Sequence, residues 1–256
     1  MNRIVCSPIL VIVLIAVMHS CTTDDEFLEP TTIELQVKMI NTVPFDWPEI
    51  PADNLPAPAV RQSLVITKGT FQITELEFNG TRVNNDDYYF SRSFDSTLVA
   101  DLSDNSFNQP VTFDIPRGSY NPITITLHTN KAGNLPGFKL QGKWKKHQGS
   151  PGYGNAPPAE TDVEINFFDH HESLDLTVKT DAGNKQIVFD GNNWNTLELK
   201  INLAHLFRNT NPDTFDTARV IRQNNKPKII ISAYQEDDIY FNLVNRIEKS
   251  IHATIK

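Results

Sequence analysis

Asp169, His170, His171 and Glu172 form the densest run of potential metal ligands in the chain. Neutral imidazole and carboxylate are donor types that zinc accepts. The four are consecutive, and along a strand neighbouring side chains point to opposite faces. A tight turn would let them converge on a metal, while the bland alternative is a polar hairpin tip. His128, His147, His205 and His252 are scattered, with no His-x-x-x-His pair among them. Asp86-Asp87 and residues 101–108 offer oxygen donors of the kind calcium takes. They lack the twelve-residue loop spacing that would make such a site specific, so they read as polar turns.

Nucleophilic chemistry finds little support. Gly149-Ser150-Pro151-Gly152 is not a Gly-x-Ser-x-Gly elbow and does not lead from a strand into a helix. The only cysteines are Cys6 and Cys21. No motif implies a cofactor, and a non-enzymatic protein is expected. Aromatic side chains on loops can stack on the apolar C–H face of a sugar. Trp47 and Tyr153 stand in two long Pro- and Gly-rich stretches, 43–58 and 145–161, and are the candidate ligand-binding residues. Loops beyond about 12–15 residues are unusual unless functional or disordered. Trp144 is in phase with Phe138 and Leu140 and is expected in the core.

The first thirty residues carry the clearest signal. Arg3 is followed by an uncharged apolar run from Pro8 to Met18. That run falls short of the roughly 20 residues a spanning helix needs, and it has the order of a secretory signal. Ser20 then precedes Cys21, a junction that resembles a bacterial lipobox, in which the thiol is acylated and the chain is cut before the cysteine. The resemblance implies a signal peptide over 1–20 and a lipid on Cys21. The acidic run Asp24-Asp25-Glu26 makes 21–31 a charged tether. Such a run behind the lipidated cysteine resembles the surface-export signal of Bacteroidetes lipoproteins, which implies the outer membrane with the domain facing outward. The mature domain would hold no thiol, so its stability must come from its own core.

The net charge is −8, one unit more negative once Arg3 leaves with the signal. Nucleic acid, which is gripped by a basic stripe, is therefore not an expected partner. Along the sequence the charges are mixed, with no block that defines a patch.

Strands must position whatever sites exist. Ile33, Leu35, Val37 and Met39 alternate with Glu34, Gln36 and Lys38, the mark of a strand with one face buried. The same period runs through Phe138 to Trp144, Val163 to Phe167, Leu174 to Val178, Ile123 to Leu127 and Leu197 to Leu203. Turn residues separate these runs. The pattern predicts an all-β, mainly antiparallel β-sandwich over 32–203, as one sandwich or two. Over 204–256 it predicts a strand and a C-terminal α-helix packed on the sandwich. The helix would begin at Asp237 or Asp238 as its cap and present Ile239, Leu243, Ile247 and Ile251 as one stripe. Residues 203–207 read as a helical turn, and Lys228 to Ser232 as one more buried strand.

The stretches Ile66 to Gly80 and Phe113 to Tyr120, together with the closing strand-and-helix order, resemble a broad set of Bacteroidetes surface lipoproteins. That resemblance implies an immunoglobulin- or transthyretin-like sandwich and assigns no catalytic residues. The lipid anchor, the acidic tether, the sandwich pattern and the long aromatic-bearing loops together lead us to expect a binding module for a glycan or for an envelope or host protein, held to the membrane through Cys21. Two alternatives remain open: a fimbria-like or accessory subunit that assembles by strand addition, and a metal-binding or enzymatic envelope protein acting through Asp169 to Glu172. Asp95-Ser96-Thr97 and Asp216-Thr217-Ala218 also resemble the O-glycosylation tripeptide of the same bacteria.

Overall fold

The computed structural model describes residues 30–46, 63–83, 86–129, 136–145, 160–167, 174–179, 186–190 and 195–256. Cys21, Trp47, Tyr153, Asp169, His170, His171 and Glu172 lie outside the described residues, as do the signal segment and nearly all of the two long Pro- and Gly-rich stretches.

The described chain is predominantly β, in two sheets packed face to face, as the alternation predicts. The first sheet has four strands. β1 (Thr31–Ile40) pairs with β6 (Thr112–Ile115) on one side and β12 (Asn195–Asn202) on the other, and β15 (Ile251–Ile255) closes the edge beyond β12. Its inward residues include Ile33, Leu35, Val37, Leu197, Leu199, Ile201 and Ala253, all buried. The intervening residues face outward and are polar.

The second sheet is built on β3 (Ser63–Arg82), a strand of 20 residues. β2 (Phe45–Asp46) and then β4 (Tyr88–Asp101) lie along one edge of it. β8 (Phe138–Lys145) and β7 (Gly118–Thr129) lie end to end along the other, facing Ser63–Phe71 and Glu75–Arg82 respectively. The chain thus runs back beside β3 almost continuously. Gln72 spans the junction: its backbone N–H donates to the Gly137 carbonyl at 2.8 Å and its side-chain amide to the Pro136 carbonyl at 2.9 Å.

Beyond β7 come β10 (Leu174–Lys179) and β11 (Ile187–Phe189); beyond β8 come β9 (Glu160–Phe167), β14 (Lys226–Ile231) and β13 (Val220–Gln223). The short β5 (Ser106–Phe107) pairs with the end of β4. Most pairings are antiparallel, as expected, but β1 with β12 and β14 with β9 are parallel. A parallel neighbour leaves no mark on alternation, so periodicity alone could not find it.

β3 buries Leu64 and Ile66, then Gly69, Phe71 and Ile73, then Leu76, Phe78 and Gly80. The inward phase slips once near Thr67-Lys68 and again near Thr74, at two of the strand's three register shifts. A bulge adds one residue and so turns the next stretch of strand inward again. Opposite the second slip, β4 carries Phe94 to Thr97 between its two paired segments.

Three helices complete the described fold. α1 (Leu203–Leu206) continues from β12, with the Asn202 side chain accepting from the His205 N–H. This is the predicted helical turn. α2 (Asp213–Thr217) lays Phe215 on Trp144, the rings stacked at 5.0 Å, and the Trp144 Nε1–H donates to the Asp216 carboxylate at 2.9 Å. Trp144 is a core residue, as expected.

α3 (Asp237–Ser250) buries Ile239, Tyr240, Leu243 and Ile247 and packs on α1 and on strands of both sheets. Two details of the predicted helix need correction. The cap position is Glu236, in the left-handed region at φ 57°, and Asp237 and Asp238 sit inside the first turn. There they favour the helix N-terminus by charge instead of capping it. Ile251 is not the end of the helical stripe, because the chain turns extended there and Ile251–Ile255 pairs antiparallel with β12. The segment after residue 203 therefore supplies β13, β14 and β15 to the two sheets as well as α2 and α3. A single cluster of buried apolar side chains links both sheets and α3.

Candidate functional site

The outer face of the four-stranded sheet gathers charge that the sequence disperses. Lys38 on β1, Lys200 on β12 and Lys256 after β15 all point away from the core, out of phase with the buried residues of their strands. They converge on Glu198, whose side chain is only 4% exposed. The Lys38 ammonium pairs with Glu198, and those of Lys200 and Lys256 lie 3.1 and 3.0 Å from its Oε2. Burial works to raise the Glu198 pKa but is outweighed by hydrogen bonds from Lys38, Lys256 and Lys200, which bring it to about 2. One carboxylate thus answers three ammonium groups.

Positive charge continues from there. Lys200 stands directly across from His252 on β15. The His252 ring lies 6.2 Å from that of His205 on α1, with the planes 24° apart. Arg246 on α3 donates its Nε–H to the His205 carbonyl at 3.3 Å. Arg208 follows α1, and Lys249 lies in the last turn of α3. Burial lowers the His205 pKa first, and Arg246, His252, Arg208 and Lys249 lower it further by their charge. Among the described residues, no carboxylate forms an ion pair with His205, Arg208, Arg246, Lys249 or His252. Three Lys side chains therefore surround the buried Glu198, and Arg208, Arg246 and Lys249 lie about His205 and His252, on a chain of net charge −8. Glu34 shares the sheet face, farther along β1, and Glu248 sits next to Lys249 without pairing to the cluster.

A second charged group sits on the other sheet. Glu164 on β9 meets Lys139 at 3.0 Å and Lys228 at 2.7 Å and accepts from Gln141 and Asn166. Burial again opposes, and hydrogen bonds from Lys228, Lys139 and Asn166 hold its pKa at about 2. This group is tightly paired within itself and has the form of a cross-strand clasp.

The remaining sequence candidates separate clearly. Asp86 and Asp87 are exposed, and among the described residues no three His, Cys, Asp or Glu side chains group as a metal site. In the 101–108 stretch the Asp101 carboxylate accepts from the Ser103 and Asp104 N–H groups, and Asn108 bridges Val99 and Thr97. Those are the bonds of a polar turn. Tyr88 packs inward at 6.3 Å from Phe78, while Tyr89 is exposed. Asp95 and Ser96 are exposed within the β4 bulge, whereas Asp216 is committed to Trp144 and Ala218 is buried. The cationic face was invisible to motif reading because its members come from three separate stretches, at 38, 200–208 and 246–256. The one available signal was lysine standing out of phase with the apolar residues of β1 and β12.

No family model, curated protein or solved structure matches the chain.

Proposed function

We propose that the chain is a non-enzymatic cell-envelope lipoprotein, held through a lipid on Cys21 and displayed at the outer membrane surface, whose sandwich binds an anionic partner. The partner class is a glycan or an envelope or host protein that carries negative charge. The observation behind this reading is the cationic face of Lys38, Lys200, Lys256, Arg208, Arg246 and Lys249 on a chain of net charge −8. Charge gathered against the overall sign raises the local concentration of an opposite partner and steers its approach. The lipobox-like Ser20-Cys21 junction and the acidic run at 24–26 support the location.

The test uses the full chain purified in detergent and passed over immobilised acidic and neutral polysaccharides. Retention on the acidic matrix that salt abolishes, and that Lys38→Gln with Lys256→Gln weakens, is the expected result. Equal retention on both matrices would overturn it. Incorporation of labelled palmitate into the wild type and not into Cys21→Ala tests the anchor.

A second reading, an assembly subunit using strand addition, draws on the edge of β4. Among the described residues its outer side is bonded only from Thr97 to Asp101, by β5 and Asn108. An exposed ladder edge is a template for another strand. A full chain that stays monomeric at all concentrations would argue against this reading.

A further inference from the structure

We propose that His205 and His252, with Arg208, Arg246 and Lys249 around them, form a binding site for a phosphomonoester group. The proposal rests on reading the cationic face as a binding surface and names the ligand chemistry of one end of it.

Uncommitted donors are the first argument. Arg246 is held to the His205 carbonyl through Nε alone at 3.3 Å, which leaves both terminal guanidinium nitrogens without a protein partner among the described residues. A guanidinium fixed in this way presents a planar fork, the geometry that grips two oxygens of one phosphate. Neither imidazole ring donates to or accepts from a protein group among the described residues, although the two rings lie 6.2 Å apart. Arg208 and Lys249 are exposed and likewise unpaired there.

Charge is the second argument. Arg246 and Lys249 lie in the last turns of α3, where cations complement the helix dipole. That accounts for those two alone. His252 is on a strand, and Arg208 follows another helix. Like charges placed together without a carboxylate repel, and a dianion with three terminal oxygens relieves this better than a carboxylate with one charge. Nearer the middle of the sheet Glu198 already performs that task for Lys38, Lys200 and Lys256. Among the described residues, the histidine end of the face lacks an anion of its own.

A bound dianion would also favour the protonated imidazole. His205 faces His252 from β15, Arg246 and Lys249 from α3, and Arg208 from the turn after its own helix, with Lys200 and Glu198 next along β12. Burial lowers its pKa first, and Arg246, His252, Arg208 and Lys249 lower it further. Phosphate should therefore raise it, so that binding takes up a proton.

The experiment follows the histidine ring resonances of the full chain in detergent micelles during titration with inorganic phosphate, with chloride at equal ionic strength as the control. Saturable shifts of His205 and His252 and an upward move of the His205 midpoint are expected. Arg246→Gln and Arg208→Gln should each weaken phosphate by about tenfold, the scale of a charge-assisted hydrogen bond. His205→Gln should abolish the proton uptake. Vesicles containing phosphatidic acid, compared with phosphatidylcholine alone, distinguish the sources: recruitment assigns the phosphate to a lipid headgroup, and phosphate binding without recruitment assigns it to a soluble ester. Shifts that chloride reproduces, or equal phosphate affinity in wild type, Arg208→Gln and Arg246→Gln, would overturn the proposal. Lys38→Gln with Lys256→Gln should leave phosphate binding intact while weakening retention on acidic polysaccharide, so the two readings fail separately.

Discussion

The indole Nε1–H of Trp144 on β8 donates to the carboxylate of Asp216 on α2 at 2.9 Å, across 72 residues of chain. Both groups are buried, and Phe215 stacks on the same indole at 5.0 Å. This contact fastens α2 to the end of the second sheet.

Trp144→Phe should accordingly cost more than its loss of apolar area. It removes the donor to a buried carboxylate and leaves a void beside Phe215, which together come to about 2–4 kcal/mol. Asp216→Asn keeps an acceptor oxygen and should cost about 1 kcal/mol. Urea unfolding midpoints of the two variants should fall in that order.

Acid should weaken the fold through Glu198 and Glu164. Both have pKa values lowered from the ordinary 4.5 to about 2 by their lysine partners. A carboxylate depressed in the folded state contributes stability above its unfolded pKa, and that stability fades as pH falls through the folded value. Urea midpoints should therefore be flat above about pH 5 and decline between about 4.5 and 2. Glu164→Gln and Glu198→Gln should each lower the neutral midpoint and flatten the acid slope. A slope unchanged in both variants would place the titrating groups elsewhere.

How far the sequence reveals this fold depends on which interactions leave a periodic trace. Phe138, Leu140 and Trp144 alternate without interruption, so β8 and its buried tryptophan were legible. β3 was legible only in pieces, because its inward phase slips near Thr67 and Thr74, and a fixed period of two cannot carry across a bulge. β15 was hidden by Ile251, which continues the fourfold spacing of Ile239, Leu243 and Ile247 although the backbone has already become extended. The cationic face was the hardest to foresee. Lys38, Lys200, His252 and Arg246 meet through a parallel strand pair and a helix packed on both sheets, and neither the pair nor the packing shows in the spacing of charges. Trp47, Tyr153 and the Asp169 to Glu172 run fall outside the described residues, so the geometry bears on none of them.

Gly142 offers a test of the junction between β8 and β3. A Cβ built on it would collide with the Val65 carbonyl oxygen and lie 2.9 Å from the Ile66 Cα, backbone atoms with no rotamer to yield. Gly142→Ala should force the two strands apart near the Ile66/Lys68 register shift and cost about 1–3 kcal/mol. Hydrogen exchange should show the loss of protection concentrated on β3 and β8. Uniform loss over both sheets would mean that the strands do not yield locally.

Tyr120 connects the alkaline limit of the fold to one buried phenol. Its hydroxyl donates to the Pro116 carbonyl at 2.6 Å, and its ring is fully buried against Phe78 and Phe189. Burial raises its pKa to about 12, with Arg82 pulling down and Tyr88 pushing up. An acid whose folded pKa lies above its unfolded value of 10.0 contributes stability below that value and loses it as pH rises towards about 12. Ultraviolet titration of the folded chain should thus show a last tyrosinate that forms only as the protein unfolds. Tyr120→Phe should remove that last step and cost about 0.5–1.5 kcal/mol at neutral pH for the lost hydrogen bond. It should also make stability less dependent on pH above about 10, since the group whose ionisation opposed folding is gone. If the last step persisted in the variant, another phenol would have to be the one held protonated by the core.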